Sequence, residues 1–206
     1  MTTFDKAASA WDEDPARVAL ANGVLSAIMD DIPLTAGMEA LEYGCGTGLV
    51  TLKIAPNVNK VVAVDTSKGM LAVLSEKIKK SGVKNVIVKP LDLTVTGPLE
   101  DRFDLIYTSM TLHHIKDIAG ILNTFRQMLN PGGSITIADL DLEDGSFHGK
   151  DAPAPAHNGF DRNEIMEILK SLGLKDLKAR IAHEMQRASA GGKTRSYPVF
   201  LITGVL

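Results

Sequence analysis

The sequence predicts an α/β fold in which a mostly parallel sheet carries helices on both faces. Three observations predict it. Short runs rich in valine and isoleucine alternate with helical segments along most of the chain. The glycine-rich turn Gly44-Cys45-Gly46-Thr47-Gly48 joins the first run directly to a helix. Strands linked through helices lie parallel. The last two runs are joined only by a short glycine turn, so that closing pair is antiparallel.

Residues 4–29 place apolar side chains at Val18, Leu20, Val24, Leu25, Ile28 and Met29, a pattern of one or two helices. Pro33 and Gly37 punctuate the turn into a first strand over Met38–Tyr43. A short helix over Leu49–Ile54 stops at Pro56, and a valine-rich second strand spans Lys60–Asp65. Ser67 caps a helix from Lys68 to Lys80, which Gly82 closes. Asn85–Lys89 and Phe103–Thr108 read as the third and fourth strands. A helix over Asp117–Leu129 stops at the turn Asn130-Pro131-Gly132-Gly133, and Ser134–Leu140 follows as the fifth strand. Asp161 caps a helix reaching Leu172, with Gly173 after it. Two tail strands, Lys175–Glu184 and Tyr197–Thr203, flank the turn Ala188–Gly192. These elements predict one domain over 1–206. Residues 1–36 form a helical cap, 37–140 a ligand-binding core, and 141–206 a lid loop, a helix and the antiparallel strands.

Composition narrows the function. At 45% hydrophobic and 23% charged, with net charge −3, the chain is average for a globular protein. It offers no electrostatic reason to bind nucleic acid or an anionic membrane. No run approaches a membrane span. The N-terminal residues lack the apolar core of a signal peptide, and the single cysteine, Cys45, excludes an internal disulfide. A cytoplasmic protein is expected; its oligomeric state is not legible.

The chemistry starts at Glu42-Tyr43-Gly44-Cys45-Gly46-Thr47-Gly48, which follows an apolar run. The next strand ends in Asp65, seventeen residues beyond Gly48. Glycines allow a tight turn and close approach of a ligand. A carboxylate at the end of the second strand suits the two hydroxyls of a ribose. In a dinucleotide fingerprint the third glycine comes one residue later, and Glu42 suits an ammonium group better than a pyrophosphate. Glu-x-Gly-x-Gly-x-Gly resembles the first motif of the class I S-adenosylmethionine-dependent methyltransferases. The likeness extends over nearly the whole chain and is strongest to the compact branch acting on small molecules such as quinone precursors.

The resemblance implies a Rossmann-like three-layer sandwich with a seven-stranded sheet whose last strand is inserted antiparallel. It also implies S-adenosylmethionine as cofactor and S-adenosylhomocysteine as product. Gly44, Cys45 and Gly46 then approach the methionine end, with Glu42 and Gly48 in the same loop. Asp65 and Thr66 meet the ribose, and Met70 packs on the adenine. Asp92 and the Leu93 amide reach the adenine edge. Thr108 and Ser109 turn beneath the cofactor toward the acceptor. Trp11 and Arg17, in the N-terminal helices, are expected over the acceptor pocket, and the Ala-Pro stretch before His157 is read as a stiff lid.

A hydroxyl acceptor needs a base, and imidazole suits neutral pH. His113 is the first candidate, His157 the second and His114 the third; a carbon or thiolate acceptor needs none. His113, His114, His148 and His157 match no zinc spacing, so no metal is expected. Cys45 lacks a neighbouring base or cation to form a thiolate. Gly191-Gly192-Lys193-Thr194 lacks the earlier glycine of a phosphate loop, because position 187 is Arg187. Lys77, Lys79, Lys80 and Lys84 read as a solvated helix end. The expected activity is methyl transfer to a small-molecule acceptor. The alternatives are a protein methyltransferase, a silent cofactor-binding module and, least favoured, a nicotinamide-dependent reductase.

Overall fold

A computed structural model describes residues 2–148, 155–188 and 194–206. The chain opens with α1 (Thr3–Ala7), a 3-10 segment (Ala8–Glu13) and α2 (Pro15–Asp31). Asp14 caps α2, with Pro15 at its first position, where a missing N–H costs nothing. Then come β1 (Glu39–Tyr43), α3 (Thr51–Ile54), β2 (Lys60–Asp65), α4 (Lys68–Ser81), β3 (Val86–Pro90) and α5 (Leu93–Thr96). They are followed by β4 (Phe103–Ser109), α6 (Ile118–Met128), β5 (Leu129–Leu140), α7 (Arg162–Ser171), β6 (Lys175–Ala188) and β7 (Thr194–Val205).

The strands form one sheet in the order β3-β2-β1-β4-β5-β7-β6. Pairings from β3 to β5 are parallel, and β7 is antiparallel to both β5 and β6. The expected seven-stranded architecture is thus present. The order reverses between β1 and β4, where the carboxyl ends of the strands leave a crevice. One face of the sheet packs Leu41, Val62, Ile106 and Ile135 with α6 and α7. The other packs Ala40, Val61, Leu105 and Tyr107 with α2 and α3. The buried stretch Val61–Val64 of β2 reads as a continuous apolar run for this reason.

The expected caps form: Ser67 accepts from the Met70 amide, Gly82 ends α4 at φ 71°, and Asp161 accepts from the Asn163 amide. Such caps contribute about 1 kcal/mol each. Three elements differ from expectation. Asn130-Pro131-Gly132-Gly133 is not a free turn but the start of β5, bulged at Gly132 (φ 78°), with the register to β4 shifting between Phe103 and Leu105. The Gly132 amide donates to Leu206 O and the Leu206 amide to Gly133 O, so the C-terminus holds this bulge. A single unexpected turn, α5, follows Asp92, whose side chain accepts from the Thr94 amide. β6 starts at Lys175 as expected but runs on to Ala188, and β7 is longer than expected at both ends. Most of the turn Ala188–Gly192 and of the Ala-Pro stretch falls outside the described residues. Among the described residues no helix is long and apolar enough to cross a membrane.

Candidate active site

A cavity of about 370 Å³ opens at the carboxyl ends of β1, β2 and β4. The glycine loop forms its floor. Gly44, Gly46 and Gly48 have φ of 74°, 52° and 78°, which only glycine adopts without strain. The Gly44 and Cys45 amides donate to Val64 O at 2.8 and 3.0 Å, and the Gly46 amide donates to Asp65 Oδ2 at 2.8 Å. Asp65 Oδ1 accepts from the Ser67 amide at 2.8 Å. One carboxylate therefore fixes both the loop and the start of α4, and its remaining lone pairs face the cavity. A Cβ on Gly44 would lie 2.1 Å from Thr111 Oγ1, so the loop also sits tightly against the segment after β4.

Glu42, next to last in β1, is only 2% exposed and accepts from the Thr51 hydroxyl. Burial pushes its pKa up to about 8; the Thr51 hydroxyl opposes this and the Asp65 charge adds to it. The Tyr107 hydroxyl, on the neighbouring strand, finds no hydrogen-bond partner among the described residues. Burial likewise raises the Cys45 thiol well above its usual value, with Glu42 and Asp65 adding to the effect. Cys45 is therefore an inert wall, as its sequence context suggested.

The roof is the N-terminal segment. Phe4, Trp11 and Arg17 line the cavity. Phe4 packs edge-on against His114 at 5.3 Å, and the Arg17 guanidinium lies 3.7 Å over Trp11. Two aspartates fasten this roof to the floor. Asp5 accepts from the Gly69 amide and the Ser67 hydroxyl at 2.9 and 2.7 Å, and these donors hold its carboxyl well below the usual range. Asp12 accepts from Thr47 Oγ1 at 2.5 Å and from Lys77 Nζ at 2.6 Å. Lys77, expected on a solvated helix end, also donates to Thr47 O at 2.8 Å, so it belongs to the roof's anchor.

Of the residues singled out in the sequence, Glu42, Gly44, Cys45, Gly46, Asp65, Thr66, Met70, Asp92, Ser109, Trp11 and Arg17 line this one cavity. Gly48, Leu93 and Thr108 do not. Gly48 backs onto Leu74, Leu93 is 1% exposed in the core, and Thr108 donates to Tyr43 O at 2.9 Å. Met110, at φ 53°, and Thr111 line the cavity without having been singled out. No sequence signal marks a methionine for that strained conformation.

The histidines are sorted by long-range contacts. His113, 2% exposed, does not line the cavity; its Nδ1–H donates to Asp139 Oδ1 at 2.6 Å. Its carbonyl accepts from the Ala156 and His157 amides at 2.8 and 3.0 Å. His157 Nε2 donates to Ile115 O at 2.9 Å. Both residues tie Ala156 and His157 to the segment that follows β4. His114 lines the cavity. Burial, then the neighbouring His113 and His148, lower its pKa to about 4. Among the described residues no cluster of histidine, cysteine or carboxylate side chains is arranged to hold a metal.

These features fit an S-adenosylmethionine molecule. A buried carboxylate, Glu42, stands beside a glycine loop in which Gly46 leaves open space where a Cβ would sit, and a second carboxylate, Asp65, ends the neighbouring strand. The comparisons with known proteins agree. Residues 16–179 match the methyltransferase-domain family, and the chain belongs to it. It is 30% identical over 154 residues to an uncharacterized methyltransferase of Schizosaccharomyces pombe, covering 68% of this chain and 54% of that protein. It is 25% identical to the 27-O-demethylrifamycin SV methyltransferase of Amycolatopsis mediterranei, covering 79% and 57%. A solved phosphoethanolamine N-methyltransferase 2 of Haemonchus contortus, in complex with S-adenosylmethionine, superposes with a TM-score of 0.72 at 16% identity, over 100% of this chain and 60% of the other. The chain thus spans little more than half the length of these relatives.

Proposed function

We propose that the chain transfers the methyl group to a small-molecule acceptor admitted beside His114. The observation that carries this reading is the partly roofed cavity. Its floor suits the cofactor, and Phe4, Trp11 and Arg17 line it from the N-terminal segment, which favours a compact acceptor over a folded protein surface. Relatives named for rifamycin and phosphoethanolamine methylation support a small acceptor.

In this reading Asp65 accepts from the ribose hydroxyls, Met70 covers the adenine and Asp92 accepts from its amino group. Glu42 and the loop Gly44–Gly46 hold the methionine end. Residues 1–36 act as a cap that excludes water. When bound, the cofactor supplies an activated methyl on a sulfonium, so the protein mainly aligns and desolvates. His114, neutral above pH 4, accepts the acceptor's proton when that acceptor is a hydroxyl. His113 and Asp139 hold the segment that carries it.

Incubating the protein with methyl-labelled S-adenosylmethionine and a small-molecule extract tests the proposal. Label in the low-molecular-weight fraction is expected. Label found only on protein, or none despite cofactor binding, would contradict it.

Glu42 gives a further expected outcome. Its pKa of about 8 in the free protein makes it mostly protonated at pH 7. An ammonium beside it favours the carboxylate, so binding S-adenosylmethionine at pH 7 releases most of one proton, and above pH 9 almost none. Calorimetry in buffers of different ionisation enthalpy reads this number. Glu42→Gln abolishes the release; release that persists in that variant places the titrating group elsewhere. The sign for stability is the reverse of a paired carboxylate. A raised folded pKa contributes stability below the unfolded value of about 4.5, which is lost as pH rises toward 8.

A further inference from the structure

The net charge of the chain is −3, yet cations gather at one end of the roof. Helix α2 runs antiparallel along β6. Near one end Arg180 Nη2 donates to Ala27 O at 2.7 Å and pairs with Asp30 at 3.1 Å. Midway, Gly23 lies so close that a Cβ there would meet Ala182 O at 2.9 Å. Leu20, Ala21 and Met185 then share one core cluster. Following both elements onward brings Arg17 and Arg187 to the same end, Arg17 in the cavity wall and Arg187 just outside the lining residues.

Arg17 lines the cavity and its Nε pairs with Asp14 at 3.3 Å, leaving its two amino groups for other partners. Arg187 lies 4.1 Å over the Phe147 ring and donates to Phe147 O at 2.8 Å. Among the described residues it has no carboxylate in ion-pair contact. Phe147 also touches His148 at 5.0 Å, and His148 stands 5.7 Å from His114. The buried His148 Nε2 has no hydrogen-bond partner among the described residues. Burial, then the charge of Arg17, lowers the Arg187 pKa, and the Asp14 carboxylate opposes this.

We propose that the acceptor carries an anionic group, a carboxylate or a phosphate, seated between Arg17 and Arg187, with its nucleophilic atom toward His114. This rests on the methyl-acceptor reading of the cavity. Two guanidinium forks present several N–H donors to one anion, a geometry that carboxylates and phosphates match. The anion offsets the repulsion between the arginines and completes a charge balance that Asp14 alone leaves positive.

The test titrates the protein saturated with S-adenosylhomocysteine. The probes are 3-hydroxybenzoate against 3-hydroxybenzamide, and phosphoethanolamine against ethanolamine. At least one anionic probe is expected to bind about tenfold more tightly than its partner, a difference of about 1.4 kcal/mol; the pair that shows it identifies a carboxylate or a phosphate. Arg187→Gln should remove that preference, and Arg187→Lys should restore part of it, with S-adenosylhomocysteine affinity within about twofold. Equal binding within both pairs, or no binding of either anion, overturns the proposal alone. So does Arg187→Gln weakening S-adenosylhomocysteine as much as the anion, which would place the arginines on the cofactor's own carboxylate. Failure of S-adenosylhomocysteine to bind at all would overturn the underlying reading with it.

Discussion

Asp65→Ala is expected to weaken S-adenosylmethionine about 100-fold, close to 2.7 kcal/mol of binding free energy. Two losses combine. Hydrogen bonds from a ribose to a charged carboxylate are worth about 1.5–3 kcal/mol. The Gly46 and Ser67 amides also lose the acceptor that now sets the loop and the start of α4. Asp65→Asn separates the two, because its single carbonyl oxygen can hold one amide but its NH2 cannot accept from the ribose. An intermediate loss is expected for Asn. Calorimetry on both variants reads the ladder, with circular dichroism confirming that each is folded. Unchanged affinity in Asp65→Ala would remove Asp65 from the cofactor site.

His114→Ala is expected to lower kcat with a hydroxyl acceptor by less than the roughly 10²–10⁴ of a well-matched general base, because a pKa of about 4 makes this imidazole a weak base. The pH dependence follows from the lowered pKa. His114 is neutral, and so able to take a proton, at every pH above about 4. Its titration therefore puts no ionisation limb between pH 5 and 8, and the acid limb of kcat falls near pH 4. A rate that instead fell through pH 6.5 would point to an unperturbed histidine. Full turnover in His114→Ala would end the base assignment. His113→Ala acts differently: it removes the buried contact with Asp139 while its backbone carbonyl still accepts from the Ala156 and His157 amides, and it is expected to cost stability as well as turnover.

The parts of this site written in consecutive residues were legible in the sequence. The glycine loop, Glu42 and Asp65 sit at strand ends, and alternation of strand and helix puts those ends on one side of the sheet. The order of the histidines was not legible. His113 and His114 are neighbours, and which of them faces the cavity is decided by Asp139, 26 residues away on β5. Lys77 was misread for the same kind of reason. Helix periodicity leaves it at a polar helix end, whereas Asp12, 65 residues earlier, draws it into the roof. Asn130–Gly133 carried the composition of a turn, yet the C-terminal residue Leu206 pairs with it and makes it strand. Trp11 and Arg17 were placed at the pocket by likeness to the family, and the aspartate clasps that hold them there were not foreseen.

The measurement that tests the account most directly is a crystal structure with S-adenosylhomocysteine bound. The account predicts the ribose hydroxyls on Asp65, the adenine between Met70 and Asp92, the amino group near Glu42, and the sulfur facing the space between Ser109 and His114. A sulfur turned away from His114, or an adenosyl group lodged elsewhere than beside Asp65, would contradict it.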